Sequence, residues 1–217
     1  ALLHTNAVLY ILDPKNGDLA DLGTVMGNVY HTKEKMIDCV NAFYEGMVQR
    51  SEEMKRHPNY KTGENYAYLG LPPCFLIFDE YVAFFEMLGT KESVGLLSQL
   101  KKIVMLGRQA GYFLIVACQR PDAKYFSDGI RDNFNFRVGL GRISELGYGM
   151  LFGSDVKKQF FQKRIKGRGY CDVGTSVISE FYTPLVPKGH DFLQTIGRLA
   201  QERQAMPEQQ GKEDVIE

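Results

Sequence analysis

Phe75-Leu76-Ile77-Phe78-Asp79-Glu80 is the stretch on which the fold turns. Four apolar residues in succession, without polar alternation, fit a strand covered on both faces, as strands of a parallel α/β sheet are. The two carboxylates that follow then stand at the carboxyl edge of the sheet, where α/β proteins bind ligands. Adjacent carboxylates at such an edge suit metal-assisted nucleotide hydrolysis: the first holds Mg2+, often through water, and the second polarises the attacking water. The same six residues also fit a buried strand ending in a solvated acidic turn, so the surroundings must decide.

Upstream, Val8-Leu9-Tyr10-Ile11-Leu12 reads as another strand, ending in the breaker-rich loop Asp13-Pro14-Lys15-Asn16-Gly17. Residues 32–54 follow a helical period, with Met36, Val40, Phe43 and Met47 on one stripe beside Ile37, Tyr44 and Val48. Residues 57–73 mix Pro, Asn, Gly and Tyr without period and predict an exposed loop. Downstream, 91–109 predicts a helix with Val94, Leu97, Leu100 and Val104 turned inward, broken at Gly111. Phe113-Leu114-Ile115-Val116-Ala117 is then a third buried strand and Phe136-Arg137-Val138-Gly139-Leu140 a fourth. Residues 168–183 suggest a hairpin turning near Gly174, and 193–204 a short helix. The polar stretch 206–217 has no period and reads as disordered. The expected organisation is one α/β domain over 1–204 with a tail over 205–217, and there is no internal repeat.

Strands alternating with helices argue for a mostly parallel sheet. Three of them end in Asp13, in Asp79-Glu80 and in Cys118-Gln119-Arg120. Polar groups gathered at the carboxyl ends of neighbouring strands form the usual crevice of such a fold.

Composition narrows the possibilities. The 217 residues suffice for one α/β domain, and 44% hydrophobic with 24% charged residues are ordinary for a globular core. Lys+Arg and Asp+Glu both number 26, so no overall electrostatic footprint for nucleic acid exists. Any DNA contact must be local, or come from other parts of an assembly. Cys39, Cys74, Cys118 and Cys171 lie far apart without a CxxC, which predicts reduced thiols in a cytosolic protein. No apolar run approaches the roughly 20 residues that span a bilayer, and no signal peptide is visible.

Four segments in order carry a resemblance: Tyr10-Ile11-Leu12-Asp13-Pro14-Lys15, Phe75-Leu76-Ile77-Phe78-Asp79-Glu80, Gly107-Arg108-Gln109-Ala110-Gly111-Tyr112 and Ala117-Cys118-Gln119-Arg120-Pro121. Asp132-Asn133-Phe134-Asn135-Phe136-Arg137-Val138 and Gly167-Arg168-Gly169-Tyr170 add to it. Over about residues 7–196 the chain resembles the motor domain of the FtsK/SpoIIIE family of DNA-translocating ATPases. Within that family it is most similar to the coupling ATPases of Gram-positive conjugative transposons.

The resemblance implies a RecA-like P-loop NTPase fold, with ATP and Mg2+ as cofactors. It implies a homo-oligomeric ring, a hexamer, acting on DNA with relaxosome or secretion-channel proteins. It places the motor at the inner face of the bacterial cell membrane, anchored through a segment outside this chain. Related motors segregate chromosomes or drive type VII protein secretion. Asp79 would be the Walker B carboxylate on Mg2+, Glu80 the base that orients water, and Gln119 a sensor of the γ-phosphate or lytic water. Arg120 lies beside that sensor in the nucleotide-binding set. Arg108 resembles an arginine finger that reaches a neighbour's nucleotide; a cation favouring its own helix C-terminus is the other reading. Arg137 is a second finger candidate, or pairs with a buried carboxylate. Asp13 and Lys15 shape the crevice rather than catalyse.

One motif is missing. The chain has no G-x-x-x-x-G-K-[ST], since its only Gly-Lys pair, Gly211-Lys212, lacks the upstream glycine and precedes Glu213. In the family the phosphate-binding loop precedes the strand ending in Asp-Pro-Lys, so the expectation is a fragment that begins after it. The absent strand belongs between the Cys118-Gln119 strand and the 136–140 strand. Its loss predicts a gap, a rearranged sheet or a covered edge, and no normal ATP affinity for this chain alone. A catalytically silent interaction module is the alternative from another class.

Overall fold

The apolar runs of the first half become four parallel strands in the order β2-β1-β3-β4: β1 (Val8–Leu12), β2 (Val29–Tyr30), β3 (Cys74–Phe78) and β4 (Tyr112–Val116). The computed structural model describes residues 1–121, 124–126, 128–153, 156, 160, 165–175 and 177–205, with Asp128 and Gly129 as backbone only. The expected disordered stretch 206–217 lies outside the described residues.

The three long strands run in register. Val8 stands opposite Cys74 and Cys74 opposite Tyr112, while Leu12, Phe78 and Val116 are level at the other end. All three therefore end at one rim. The crossovers are helical, as parallel pairing requires: α1 (Lys33–Arg56) between β2 and β3, and α2 (Tyr81–Glu86) with α3 (Thr90–Ala110) between β3 and β4. Leu12, Met36, Val40, Leu76, Phe78, Phe84 and Leu100 are fully buried. The Phe43 ring of α1 meets Tyr10 and Tyr112 edge-on at 5.5 and 4.8 Å, joining helix to sheet.

Two expectations need correction. On α3 the buried positions are Leu96, Leu100, Ile103, Gly107 and Ala110, whereas Val94 is 65% exposed. Val94 lies on the opposite side of the helix, with exposed Met105. The helix carries apolar residues on two faces, and periodicity alone does not say which one is covered. Likewise β4 is not buried throughout, since Ile115 is exposed; among the described residues it pairs with β3 alone, in line with the expected loss of a neighbouring strand.

The second unit, Cys118–His190, is built separately. It holds α4 (Asp128–Arg131), β5 (Arg137–Leu140), α5 (Glu145–Phe152), β6 (Arg168–Asp172) and β7 (Ile178–Tyr182). Its three strands pair antiparallel in the order β5-β6-β7, with β6 and β7 forming the expected hairpin around Gly174. Tyr148, Phe152, Tyr170 and Ile178 form its core. Phe136 and Leu140 are exposed, so the fourth apolar run is only half covered. Among the described residues β4 is the last strand of its sheet and β5 the first of the other. The chain then returns to the first unit as α6 (Phe192–Ala205), whose Gly197 packs on Val25.

Candidate functional site

The backbone beyond β3 is fixed from both sides. The Asp79 N–H donates to the Leu12 carbonyl at 2.9 Å, the Ala117 N–H to Phe78 at 2.9 Å, and the Tyr81 N–H to Ala117 at 2.8 Å. Between these anchors Glu80 adopts φ 52, ψ 57, a left-handed conformation that costs a residue with a Cβ about 1 kcal/mol or more. The turn drives the chain straight into α2, whose Tyr81, Phe84 and Phe85 are buried and hold it. Asp79 and Glu80 consequently leave the strand tip as half-buried side chains at the rim where β1, β3 and β4 end.

The neighbouring tip, at the end of β1, is organised by Asp13. It is wholly buried, and its carboxylate accepts from the backbone N–H groups of Lys15 (3.1 Å), Gly17 (2.8 Å) and Ala20 (3.0 Å). A carboxylate so engaged shapes a loop and has little left to offer a substrate. The loop delivers Lys15, whose Nζ lies 3.5 Å from Glu80 Oε2.

Burial, with the negative charges of Asp13 and Glu80, raises the Asp79 carboxyl above its ordinary range; Lys15 and a backbone N–H at Glu80 oppose the shift. Asp79 also opens onto a groove of about 510 Å3 lined by Asp18, Leu19, Asp21, Phe192 and Leu193. The negative charge gathered here suits a cation. Among the described residues no group of three or more His, Cys, Asp or Glu side chains forms a metal cage. One carboxylate completed by water and phosphate oxygens is the donor set Mg2+ favours, and Asp79 fits it.

The remaining candidates fall elsewhere. Gln119 and Arg120 are exposed and follow Ala117, the residue level with Asp79, by two and three positions in the chain. Arg108 sits in the last turn of α3, just ahead of Tyr112, at the start of β4. Five residues of strand at about 3.3 Å each put it about 16 Å from the Asp79 rim. Its backbone therefore lies at the end of β4 opposite the acidic tip. In the second unit Arg137 Nη2 pairs with Asp172 Oδ2 at 2.7 Å, and Nη1 donates to the Leu151 carbonyl at 3.3 Å. Asp172 is buried and also accepts from the Gly174 N–H, so Arg137 ties β5 to β6.

Sequence reading missed Asp18, Asp21, Phe192 and Leu193 as groove residues. The two aspartates lie in a breaker-rich loop with no motif to mark them. Phe192 and Leu193 are remote in sequence and reach the groove only through the return of α6.

No family model matches the chain. The FtsK domain-containing protein YdcQ of Bacillus subtilis strain 168 is 56% identical over 197 residues, 90% of this chain and 41% of that protein. The chain thus spans about two fifths of the length of that relative. The pCW3 conjugation coupling protein TcpA, solved as a monomer with ATPgS, superposes with a TM-score of 0.69 at 19% identity, over 91% of this chain and 58% of that one. ATPases 2 and 3 of EssC from Geobacillus thermodenitrificans give 0.62 at 17% identity, over 92% and 38%. The cytoplasmic domain of the type VII secretion ATPase EccC from Thermomonospora curvata gives 0.60 at 19%, over 90% and 24%. These structural likenesses fix the fold as that of P-loop ATPase domains, a parallel sheet flanked by helices.

Proposed function

This chain belongs to the FtsK/SpoIIIE family, and we propose that it is part of an ATP-driven motor that translocates DNA, a coupling protein of conjugative transfer. The observation that carries the reading is the strained turn at Glu80, which sets two adjacent carboxylates at a cation-seeking strand tip. Chromosome segregation and type VII protein secretion use the same chemistry and are the other assignments within the family.

In this reading Asp79 would hold Mg2+, which would supply charge neutralisation on the bound nucleotide. Glu80 accepts a proton from, and orients, the attacking water. Its ion pair with Lys15 turns the carboxylate toward the β1 loop. Gln119, a neutral donor and acceptor, senses the γ-phosphate or the lytic water, and Arg120 adds a cation beside it. Arg108, at the end of β4 opposite the acidic tip, acts in a neighbouring subunit's site, which calls for a ring such as a hexamer. This chain supplies no phosphate cradle, so the complete site needs a Walker A loop from the full-length protein. Relaxosome or secretion-channel proteins are the partners that this role requires, at the inner face of the cell membrane. No described helix is long and apolar enough to cross a membrane.

ATP hydrolysis by the full-length protein, measured with and without double-stranded DNA, tests the assignment. We expect DNA to raise kcat several-fold. Stimulation by a secreted protein substrate and none by DNA would replace the conjugative reading with secretion.

A further inference from the structure

Around Arg108 the chain is held at every neighbouring position. Gly107 approaches Tyr112 so closely that a Cβ would stand 2.3 Å from the Tyr112 carbonyl oxygen. Gln109 Nε2 donates to the Glu64 carbonyl. The Ala110 carbonyl accepts from Arg50 Nη1 at 3.2 Å, and the same nitrogen reaches the Pro72 carbonyl at 2.7 Å. Gly111, at φ +77, lies under the Tyr66 ring, which would stand 2.5 Å from a Cβ there. Tyr66 also meets Phe113 edge-on at 6.0 Å, and the Arg50 guanidinium lies 4.8 Å over the Tyr112 ring. Arg108 itself is exposed, and among the described residues no hydrogen bond or ion pair engages its guanidinium.

A solvated arginine with nothing to do needs no such mounting. Glu64, Tyr66 and Pro72 all come from the 57–73 loop, for which the sequence offers no function, and Arg50 comes from α1. We propose that Tyr66, Gln109 and Arg50 are positioning residues for Arg108. Loop 57–73, with its 3-10 turn at Tyr66–Leu69, braces the α3–β4 turn so that the guanidinium is presented to a neighbouring subunit at a fixed point. The proposal rests on the assignment of Arg108 as a residue acting in trans. Its physical basis is geometric: a group that acts on a transition state loses on the order of 10²-fold in rate when displaced by about 1 Å.

The test is a double-mutant cycle on ATP hydrolysis by the full-length protein, using Tyr66→Ala and Arg108→Ala. Tyr66→Ala lowers kcat about 10- to 100-fold and leaves the ATP KM within about 2-fold, because nucleotide binding does not involve the brace. Tyr66→Phe keeps the ring and restores the rate. In the Arg108→Ala background Tyr66→Ala costs nothing further, since there is no guanidinium left to place. If Tyr66→Ala fails to fold, Gln109→Ala carries the same cycle, as its side chain is exposed. A brace variant that loses the same factor with or without Arg108 overturns the positioning role and leaves the trans assignment standing. An Arg108→Ala variant with unchanged kcat overturns the trans assignment, and the brace with it.

Discussion

At the scale of single residues the site is built against the local preferences of its own side chains. Asp79 is held beside two other carboxylates and partly out of water, so its carboxyl binds a proton more tightly in the folded than in the unfolded chain. A carboxyl raised in this way favours the folded state as pH falls through its raised range and opposes it above. Asp79→Asn removes the charge, so the variant should melt higher than the parent at pH 7. The gap should close as the pH is lowered past the carboxylate range; thermal melts across pH read both. Asp13 works in the opposite sense. Its carboxylate satisfies three backbone N–H groups from a fully buried position. Asp13→Ala strands them, at about 1–3 kcal/mol for each one left without water. A loss of at least 3 kcal/mol in a denaturant titration is expected. The acidic doublet was legible because an apolar run announces its strand and two adjacent carboxylates announce a tip. The Lys15–Glu80 pair was not: Lys15 lies 65 positions earlier, and only the parallel pairing of β1 with β3 brings the two tips level.

Elements were read best where one face alone is apolar. The stripe Met36, Val40, Phe43 and Met47 predicted α1 and its buried side, and all four are buried, whereas Ile37 and Tyr44 beside them are half-buried and Val48 is exposed. Phe43 bridges Tyr10 and Tyr112, so Phe43→Ala should cost about 3–5 kcal/mol, measured as a fall in the urea midpoint with unchanged slope. Reading failed where apolar residues serve two purposes. Val94 and Met105 form an apolar stripe on α3 that stays exposed, and no periodicity distinguishes a covered stripe from an open one. Ile115 illustrates the same limit in a strand: an apolar run shows that a strand wants cover, not whether neighbours exist on both sides. The short α2 was missed because six residues hold less than two turns, and because its start depends on a left-handed Glu80 that propensity argues against.

For the molecule as a whole, the order of the strands explains both what the chain contains and what it needs. The tips of β1 and β3 supply acids and a lysine, but the sequence holds no G-x-x-x-x-G-K-[ST] loop to cradle phosphates. Calorimetric titration of this chain alone with Mg-ATP should therefore show no micromolar binding; a micromolar dissociation constant would contradict that. Arg108 precedes β4 at the end away from the Asp79 rim, about 16 Å off at about 3.3 Å per strand residue, and in the proposed motor it serves a neighbouring subunit. A monomer with a complete Walker A loop should hydrolyse ATP far more slowly than the ring.

The proposed motor turns on whether Glu80 handles the lytic water. Single-turnover and steady-state ATP hydrolysis by the full-length protein, with Glu80→Gln beside the parent, reads this directly. Loss of a general base predicts a fall in kcat of about 10²- to 10⁴-fold with ATP affinity retained. Equal rates in the two proteins would contradict it and leave the acidic tip as part of the scaffold.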